Sequence, residues 1–196
     1  ERHREAAQSD SRRLSQLIDE AKLIGPTRGF VEGLRADSIQ QLAVIAEIKR
    51  RSPSKGVLRD GIVATDLARV YESGAASCLS VLTDVVSFGG SVDDLQQALA
   101  ATTIPVLRKD FTVSEHDVCD ARIMGADCVL LIAAALSQNE LTGFYQLATE
   151  IGLDVLVETH DEKEVESALL AGATMIGVNQ RDLVTFQVDH DRAVRM

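Results

Sequence analysis

The chain has 196 residues, of which 45% are hydrophobic and 26% charged, with a formal net charge of −10 and a sequence pI of about 4.8. This length and composition predict one globular domain with a sizeable core. The acidic balance argues against a nucleic-acid or membrane surface, because such partners require clustered Lys and Arg. No apolar stretch reaches the roughly 18 residues of a spanning helix, and the N-terminus lacks a signal peptide's apolar region. We therefore expect a cytoplasmic protein.

Cysteine and histidine residues give no indication of a metal site. Cys78, Cys119 and Cys128 have no CxxC spacing, and free cysteines are most often small buried hydrophobes. The four histidines are scattered without the spacing of metal ligands. We therefore predict no metal site and no reactive thiol.

Residues 1–43 are expected to form a helical extension that precedes the rest of the fold. Within residues 11–24, apolar side chains recur at helical spacing: Leu14, Leu17, Ile18 and Leu23. A Gly25-Pro26 break follows, and a second short helix is expected beyond Gly29. Such an extension could plug the floor of a barrel or line its mouth, and the sequence leaves both arrangements open.

Six runs rich in Val, Ile and Leu predict β-strands, and segments with helical periodicity separate them. The predicted strands are 44–49, 78–82, 106–109, 128–132, 154–158 and 175–179. Because these runs are continuous rather than alternating, they predict strands buried on both faces, as in a parallel sheet covered by helices. Residues 44–196 are thus predicted to be a series of βα units.

The predicted helices also carry start and stop signals. N-cap residues precede four of them: Ser91, Ser114, Ser137 and Asp161. Glycines that can adopt the left-handed conformation follow four of them: Gly74, Gly125, Gly152 and Gly172. The repeated unit fits an open doubly wound sheet or a (β/α) barrel. No GxGxxG or GxxxxGK[ST] motif follows the first strand, which favours the barrel.

Polar residues end several of the predicted strands. Glu47 and Lys49 lie two apart and therefore share one face of their strand. Alone, such a pair is usually a simple ion pair, but similar endings recur after three other strands. In a barrel, side chains at the carboxyl ends of the strands converge on one mouth, where catalytic groups lie. The candidates are Glu47, Lys49, Lys109, Glu158, Asn179 and Arg181.

These stretches resemble indole-3-glycerol phosphate synthase, a (β/α)8 TIM barrel of tryptophan biosynthesis. The matching residues are 46–56, 79–84 with 88–91, 107–111, 125–127 with 130–132, 155–160, and 177–183 with 185–186. The resemblance implies a decarboxylating carbon–carbon lyase without a cofactor. Its phosphorylated small-molecule substrate would be 1-(2-carboxyphenylamino)-1-deoxyribulose 5-phosphate.

The resemblance also implies catalytic roles. Attack of an aromatic carbon on a ketone requires protonation of the ketone oxygen, which suits Lys109 as general acid. Glu158 would be the base that assists dehydration. Glu47 would lie between Lys49 and Lys109 and tune their charge, so that their titrations would couple. Asn179 would support the acid and base.

Substrate-binding roles follow from the same resemblance. Lys49 and Ser52 would hold the carboxylate that leaves as carbon dioxide. Arg181, together with Asn179, would bind the ribulose hydroxyls. Ser54 or Lys55, in the loop that follows the first strand, would approach the phosphate.

The family barrel has eight βα units, whereas six strands are predicted here. The loops after strands seven and eight supply the family's phosphate cradle, so no residue of this chain is assigned to that role. We expect the 196-residue chain alone to be inactive or weak, and its exposed strand edges to favour self-association.

Two alternatives stay open at this point. One is another phosphate-binding barrel, such as a sugar-phosphate isomerase, although the aspartate-led strand ends of those enzymes are absent. The other is a non-enzymatic folding unit that pairs with a complementary piece. The size of the isolated chain and its turnover would distinguish the two from a synthase.

Overall fold

The computed structural model describes residues 1–39, 41–53, 55–59, 61–181 and 187–195. Its α-helices are α1 (Arg2–Ser9), α2 (Leu14–Leu23), α3 (Phe30–Ser38), α4 (Ala64–Ser73), α5 (Val85–Phe88), α6 (Val92–Ala101), α7 (Glu115–Ile123), α8 (Gln138–Glu150), α9 (Glu162–Leu170) and α10 (Arg192–Arg195), with a 3-10 helix at Ala133–Ala135. Its strands are β1 (Ile45–Ile48), β2 (Arg51–Ser52), β3 (Gly56–Val57), β4 (Cys78–Leu82), β5 (Val106–Lys109), β6 (Cys128–Ile132), β7 (Asp154–Thr159) and β8 (Ile176–Val178).

Six of these strands form one parallel sheet in the order β1-β4-β5-β6-β7-β8. The spatial order follows the chain order without reversal, as in a (β/α) barrel, whereas a doubly wound sheet reverses direction at a switch point. The predicted strands and the barrel architecture are therefore confirmed. The short antiparallel hairpin of β2 and β3, in the loop after β1, was not predicted.

The hydrophobic core lies on both sides of this sheet. On the inner side, Phe30 packs with Cys78, Leu107, Cys128 and Leu130. On the outer side, two larger clusters join the strands to the surrounding helices. The central strands β4, β5 and β6 are buried almost throughout. By contrast, β1 and β8, each of which pairs with a single neighbour in the described part of the chain, are partly exposed. The prediction of burial on both faces thus fails at these two edge strands.

The N-terminal helices occupy both positions that the sequence left open. Phe30 at the start of α3 is buried against the barrel floor, where Asp127 and Asp154, at the amino ends of their strands, accept from the backbone N–H groups of Arg28 and Val31 at 2.8 and 3.0 Å. At the mouth, Arg4 of α1 pairs with Glu140 at 2.8 Å and also donates to a backbone carbonyl.

The helix α2 packs on α7. Its side chains Leu14, Leu17 and Ile18 join the outer core as predicted, but Leu23 is 85% exposed. Leu23 is the last residue of the helix and has turned away from α7. The division of the chain at residue 43 stays a prediction. No helix within the described residues is both long and apolar enough to cross a membrane.

Most of the predicted helix caps are present in the structure. All four expected N-cap side chains accept from a backbone N–H three residues later, and Ser137 with Glu140 forms a complete capping box. Three of the four expected glycines have positive φ, but Gly74 has φ −83° and its neighbour Ala75 takes the left-handed conformation instead, at φ 62°. The chain therefore reverses one residue later than predicted.

Two glycines provide a matched test of this packing. A Cβ at Gly90 would lie 2.0 Å from the carbonyl oxygen of Leu82, at the carboxyl end of β4, whereas a Cβ at Gly143 in α8 would meet nothing within 4 Å. We expect Gly90→Ala to destabilise the fold by roughly 3 kcal/mol or more through this backbone clash. Gly143→Ala should stabilise it by about 0.5–1 kcal/mol, because alanine favours the helix. Urea denaturation followed by circular dichroism measures both, and equal effects would contradict the described β4–α6 packing.

Candidate active site

A cavity of about 800 Å³ opens at the carboxyl ends of the sheet strands. Eight of the nine candidate residues that the sequence singled out line it: Glu47, Lys49, Ser52, Lys55, Lys109, Glu158, Asn179 and Arg181. They come from β1, the hairpin loop, β5, β7 and the segment after β8. Because the strands are parallel and in chain order, their carboxyl ends meet at one edge, and the convergence follows from the topology.

The first charged pair of the site comes from the end of β1. Lys49 donates to Glu47, two residues earlier on the same face of the strand. Both side chains are partly buried, and each lines the cavity. The hydroxyl of Tyr71 in α4 donates to the backbone carbonyl of Glu47 at 3.2 Å, which ties this strand end to the helix behind it.

The second charged group joins β5, β7 and the segment after β8. Lys109 Nζ donates to Glu158 Oε2 at 2.7 Å, and Asn179 Nδ2 donates to Glu158 Oε1 at 3.0 Å. Each oxygen of the buried carboxylate thus has its own donor. The expectation that Glu47 lies between both lysines is wrong: Glu47 pairs with Lys49, while Lys109 pairs with Glu158.

The Glu158 side chain is largely buried, with 14% of it exposed. Burial by itself raises the pKa of a carboxyl group, because it penalises the charged form. Here the ion pair with Lys109 and the hydrogen bonds from Lys109 and Asn179 outweigh burial, and the pKa of Glu158 lies below its ordinary value of 4.5. The group is therefore an anion at neutral pH, as a base must be.

An apolar wall, which the sequence analysis did not assign to the site, faces these charges. It consists of Leu82, Phe88, Phe111, Leu130, Ile132 and Leu156. The alternation of side chains along a strand could have identified part of this wall. Leu156 lies two residues before Glu158 and therefore shares its face of β7. A cavity with an apolar wall and a few convergent polar groups suits a ligand that carries an aromatic ring.

The β2–β3 hairpin forms one rim of the cavity. Ser52 and Lys55 both line it, and the Lys55 backbone N–H donates to Ser52 Oγ at 3.2 Å. Arg51, the first residue of β2, donates to the Val85 carbonyl at 3.0 Å and so ties the hairpin to α5. Ser54, the other candidate for the phosphate, lies outside the described residues.

Asn179 organises the opposite rim. Its Oδ1 accepts from the backbone N–H of Arg181 at 3.0 Å, while its backbone carbonyl accepts from Arg192 at 3.1 Å. Arg181 lines the cavity. The end of the matching stretch, residues 182–186, lies outside the described residues.

The three cysteines are buried, as predicted. Burial raises the pKa of Cys119 to about 11 and that of Cys78 to about 12, and it raises the pKa of Cys128 as well. Such thiols are not thiolates at neutral pH.

One group of potential metal ligands occurs among the described residues: His3, Asp84 and Asp110. Arg2 already pairs with Asp84, and Arg108 pairs with Asp110 at 3.2 Å. These arginines balance the two carboxylates. We therefore interpret the group as the attachment of α1 to the mouth, to which His3 adds a ring contact with Phe111 at a centroid distance of 4.9 Å.

Comparison with known proteins places this site in a family. Residues 1–196 match the family described as indole-3-glycerol phosphate synthase. The chain belongs to that family. Its members are lyases of tryptophan biosynthesis that act on a phosphorylated small molecule, and the paired acid and base groups of the cavity are consistent with such chemistry.

Solved structures with a similar fold are distant in sequence. A 3-hexulose-6-phosphate synthase has a TM-score of 0.52 and 13% identity, over 77% of this chain and 69% of that one. The YdjI aldolase from Escherichia coli K12 has a TM-score of 0.53 and 14% identity, over 85% and 65%. KGPDC from Streptococcus mutans has a TM-score of 0.46 and 13% identity, over 58% of each chain. The chain thus spans about three fifths to two thirds of these proteins, and the likeness shows the fold alone.

The Lys109–Glu158 pair should contribute measurably to stability. Lys109→Met would leave a buried carboxylate without its cation, which we expect to cost about 1–3 kcal/mol at neutral pH. Because pairing lowers the pKa of Glu158, this contribution is present above the ordinary carboxyl pKa and is lost as pH falls through the lowered value. The difference between Lys109→Met and the parent chain should therefore shrink toward acid in urea denaturation.

The control for this prediction is Lys22→Met, which breaks a pair of similar length, 2.6 Å, between exposed side chains. Exposed pairs contribute little, so the unfolding midpoint should barely move. A Lys109→Met effect as small as that of Lys22→Met would contradict the buried ion pair.

Proposed function

We propose that this barrel has indole-3-glycerol-phosphate synthase activity: it closes the ring of 1-(2-carboxyphenylamino)-1-deoxyribulose 5-phosphate and releases carbon dioxide and water. The observation that carries the proposal is the Lys109–Glu158–Asn179 group, which shares an apolar-walled cavity with the Lys49–Glu47 pair. Family membership supports it. The proposal includes a cytoplasmic location.

The reaction needs one acid and one base. The ring carbon that bears the carboxylate forms a bond to the ketone carbon, and the ketone oxygen takes a proton to become a hydroxyl. The carbon–carboxylate bond then breaks, carbon dioxide leaves, and its electron pair restores the ring. Finally, the hydroxyl takes a proton and leaves as water while a base removes a proton from the adjacent methylene carbon, so that the reaction consumes one proton overall. The sum is one carbon dioxide and one water lost.

Lys109 and Glu158 suit the two proton transfers. The Lys109 ammonium is a donor at the cavity wall and would protonate the ketone oxygen. Glu158 is held as an anion and would accept the methylene proton. Their contact at 2.7 Å means that a substrate oxygen bound near Lys109 would lie within reach of Glu158 as well.

The Lys49–Glu47 pair suits the substrate carboxylate. Lys49 and Ser52 line one rim and offer an ammonium and a hydroxyl group, which would bind the carboxylate until it leaves. The apolar wall, including Phe111, would hold the aromatic ring in the orientation that attack on the ketone requires. Glu47 would keep Lys49 in place when no substrate is bound.

The remaining candidates would bind the sugar phosphate portion. Asn179 and Arg181 would hold the ribulose hydroxyls, and Lys55 of the hairpin would approach the phosphate.

The rise of indole fluorescence on mixing substrate with the purified chain tests the proposal. We expect the turnover of the 196-residue chain to be weak, and Lys109→Ala and Glu158→Gln to lower it further by roughly 10²–10⁴-fold each, the usual contribution of a general acid or base. Lys22→Ala, which removes a lysine far from the cavity, should leave turnover unchanged. Titration with indole-3-glycerol phosphate measures binding separately. The absence of both turnover and saturable binding would contradict the proposal, as would turnover that both site substitutions leave intact.

We also propose self-association through the edges of the sheet. Among the described residues, β1 and β8 each pair with one neighbour only, so their outer edges present backbone N–H and C=O groups. Sedimentation velocity of the 196-residue chain should show concentration-dependent dimers or larger species. Ile45→Lys, at a partly exposed edge position, should shift the distribution toward monomer. A monomer at all concentrations would contradict this proposal.

A further inference from the structure

His160 lies beside the active site just past the end of β7, and the proposed reaction gives its imidazole no role. Alternate residues of a strand share a face, so His160 points to the same side as Glu158. Its side chain is 13% exposed, and its Nε2 lies 3.8 Å from Glu158 Oε1. That is an ion-pair distance, slightly too long for a hydrogen bond.

Glu164, in the first turn of α9, fixes the orientation of this imidazole. Its Oε2 accepts from the His160 backbone N–H at 2.7 Å and contacts His160 Nδ1 at 3.0 Å. The side chain of Asp161 caps α9 by accepting from the Glu164 backbone N–H at 2.9 Å. Because an ionised carboxylate only accepts hydrogen bonds, the proton of the ring must be on Nδ1.

The protonation of Nδ1 leaves Nε2 without a proton in the neutral ring. His160 Nε2 is buried and has no hydrogen-bond partner among the residues that the structure describes. With Nδ1 protonated, a neutral imidazole presents the Nε2 lone pair toward the Glu158 carboxylate, and two acceptors face each other. A second proton on the ring would instead place an imidazolium between the carboxylates of Glu158 and Glu164.

The charged groups that face His160 come from three elements. Glu158 on β7 and Glu164 on α9 lie within ion-pair distance of it, and Lys109 on β5 approaches the far oxygen of Glu158. Asn179 already donates to Glu158 Oε1, the oxygen that His160 approaches. A protonated His160 would thus become the third donor to the carboxylate and the second to that oxygen.

We infer that His160 is a positioning residue for Glu158: oriented by Glu164, it draws Glu158 Oε1 toward itself when protonated and releases it when neutral. The consequence for turnover rests on the proposed function. A protonated His160 competes with the substrate proton for the same carboxylate and weakens Glu158 as a base. Turnover should therefore be higher when His160 is neutral than when it is an imidazolium.

Two substitutions at this position separate orientation from charge. His160→Asn keeps a donor that can reach Glu164 in place of Nδ1 but removes the atom that faces Glu158. His160→Gln keeps a polar atom near the position of Nε2 but cannot gain a proton. We expect both variants to match the parent kcat at alkaline pH and to exceed it by up to about tenfold at acidic pH, a fraction of the roughly 10²–10⁴-fold that a base contributes. KM should change less than about twofold, and neither variant should retain the pH-dependent rise.

Carboxyl-carbon NMR of the full chain tests the coupling without turnover. The Glu158 signal is assigned by its absence in Glu158→Gln, and the imidazole nitrogens of His160 report its tautomer and titration. We expect the parent chain to show the Nδ1–H tautomer and an inflection of the Glu158 signal that coincides with His160. That inflection should vanish in both His160 variants.

The outcomes distinguish this inference from the function on which it rests. An Nε2–H tautomer in the parent chain would overturn the inference without any variant, and so would a Glu158 titration in His160→Asn that superimposes on that of the parent. If the coupling is found but neither turnover nor saturable binding is, the inference stands and the proposed function fails.

Discussion

The active site depends on one interaction that the curvature of the sheet makes possible: the ion pair between Lys109 and Glu158. These residues end β5 and β7, with β6 between them. Strands in a sheet lie about 4.8 Å apart, so a flat sheet would separate the two backbones by about 10 Å and point both side chains away in parallel. In a curled sheet, side chains from alternate strands converge, and here the two side chains meet at 2.7 Å.

The packing of the barrel interior buries this pair, and its hydrogen-bond partners keep it charged. Below it, the interior is filled by Leu107, Cys128 and Leu130, with Phe30 sealing the floor. This packing takes the carboxylate of Glu158 out of water, which by itself would favour the neutral acid. The ammonium of Lys109 and the amide of Asn179 reverse that preference. Glu158 therefore combines two properties that oppose each other in general, a buried position and a negative charge.

Much of this arrangement follows from the sequence because the strand period and the parallel topology determine it. The apolar runs locate the strands, and their polar ends identify the cavity residues before any distance is known. The ion pairs are harder to predict from the sequence. Which carboxylate meets Lys109 depends on how strands far apart in the chain are arranged. Glu47 was expected to serve both lysines, but Lys109 pairs with Glu158. The α1 helix was also missed, since it has no buried residue and is attached mainly by charged side chains.

Local geometry explains the remaining differences. Each strand of the β2–β3 hairpin has only two residues. Such short strands show no recognisable alternation of apolar and polar residues in the sequence. The reversal at Ala75 rather than Gly74 shows that tertiary contacts can place a residue other than glycine in the left-handed region at a modest cost. The spacing of His160 from the other histidines suits no metal site. Its connection to the cavity comes only from the strand face that it shares with Glu158.

The charged side chains at the mouth of the barrel favour an anionic ligand. Among the described residues that line the cavity, four are cationic, Lys49, Lys55, Lys109 and Arg181, and three are anionic, Glu47, Asp110 and Glu158. Asp110 is also bound by Arg108. A protein with a net charge of −10 thus concentrates cations where an anionic substrate would bind. In the proposed reaction, the substrate carboxylate would compete with Glu47 for Lys49. Decarboxylation removes that competitor, so Lys49 returns to Glu47 and the product is held by one anionic contact fewer than the substrate, which favours its release.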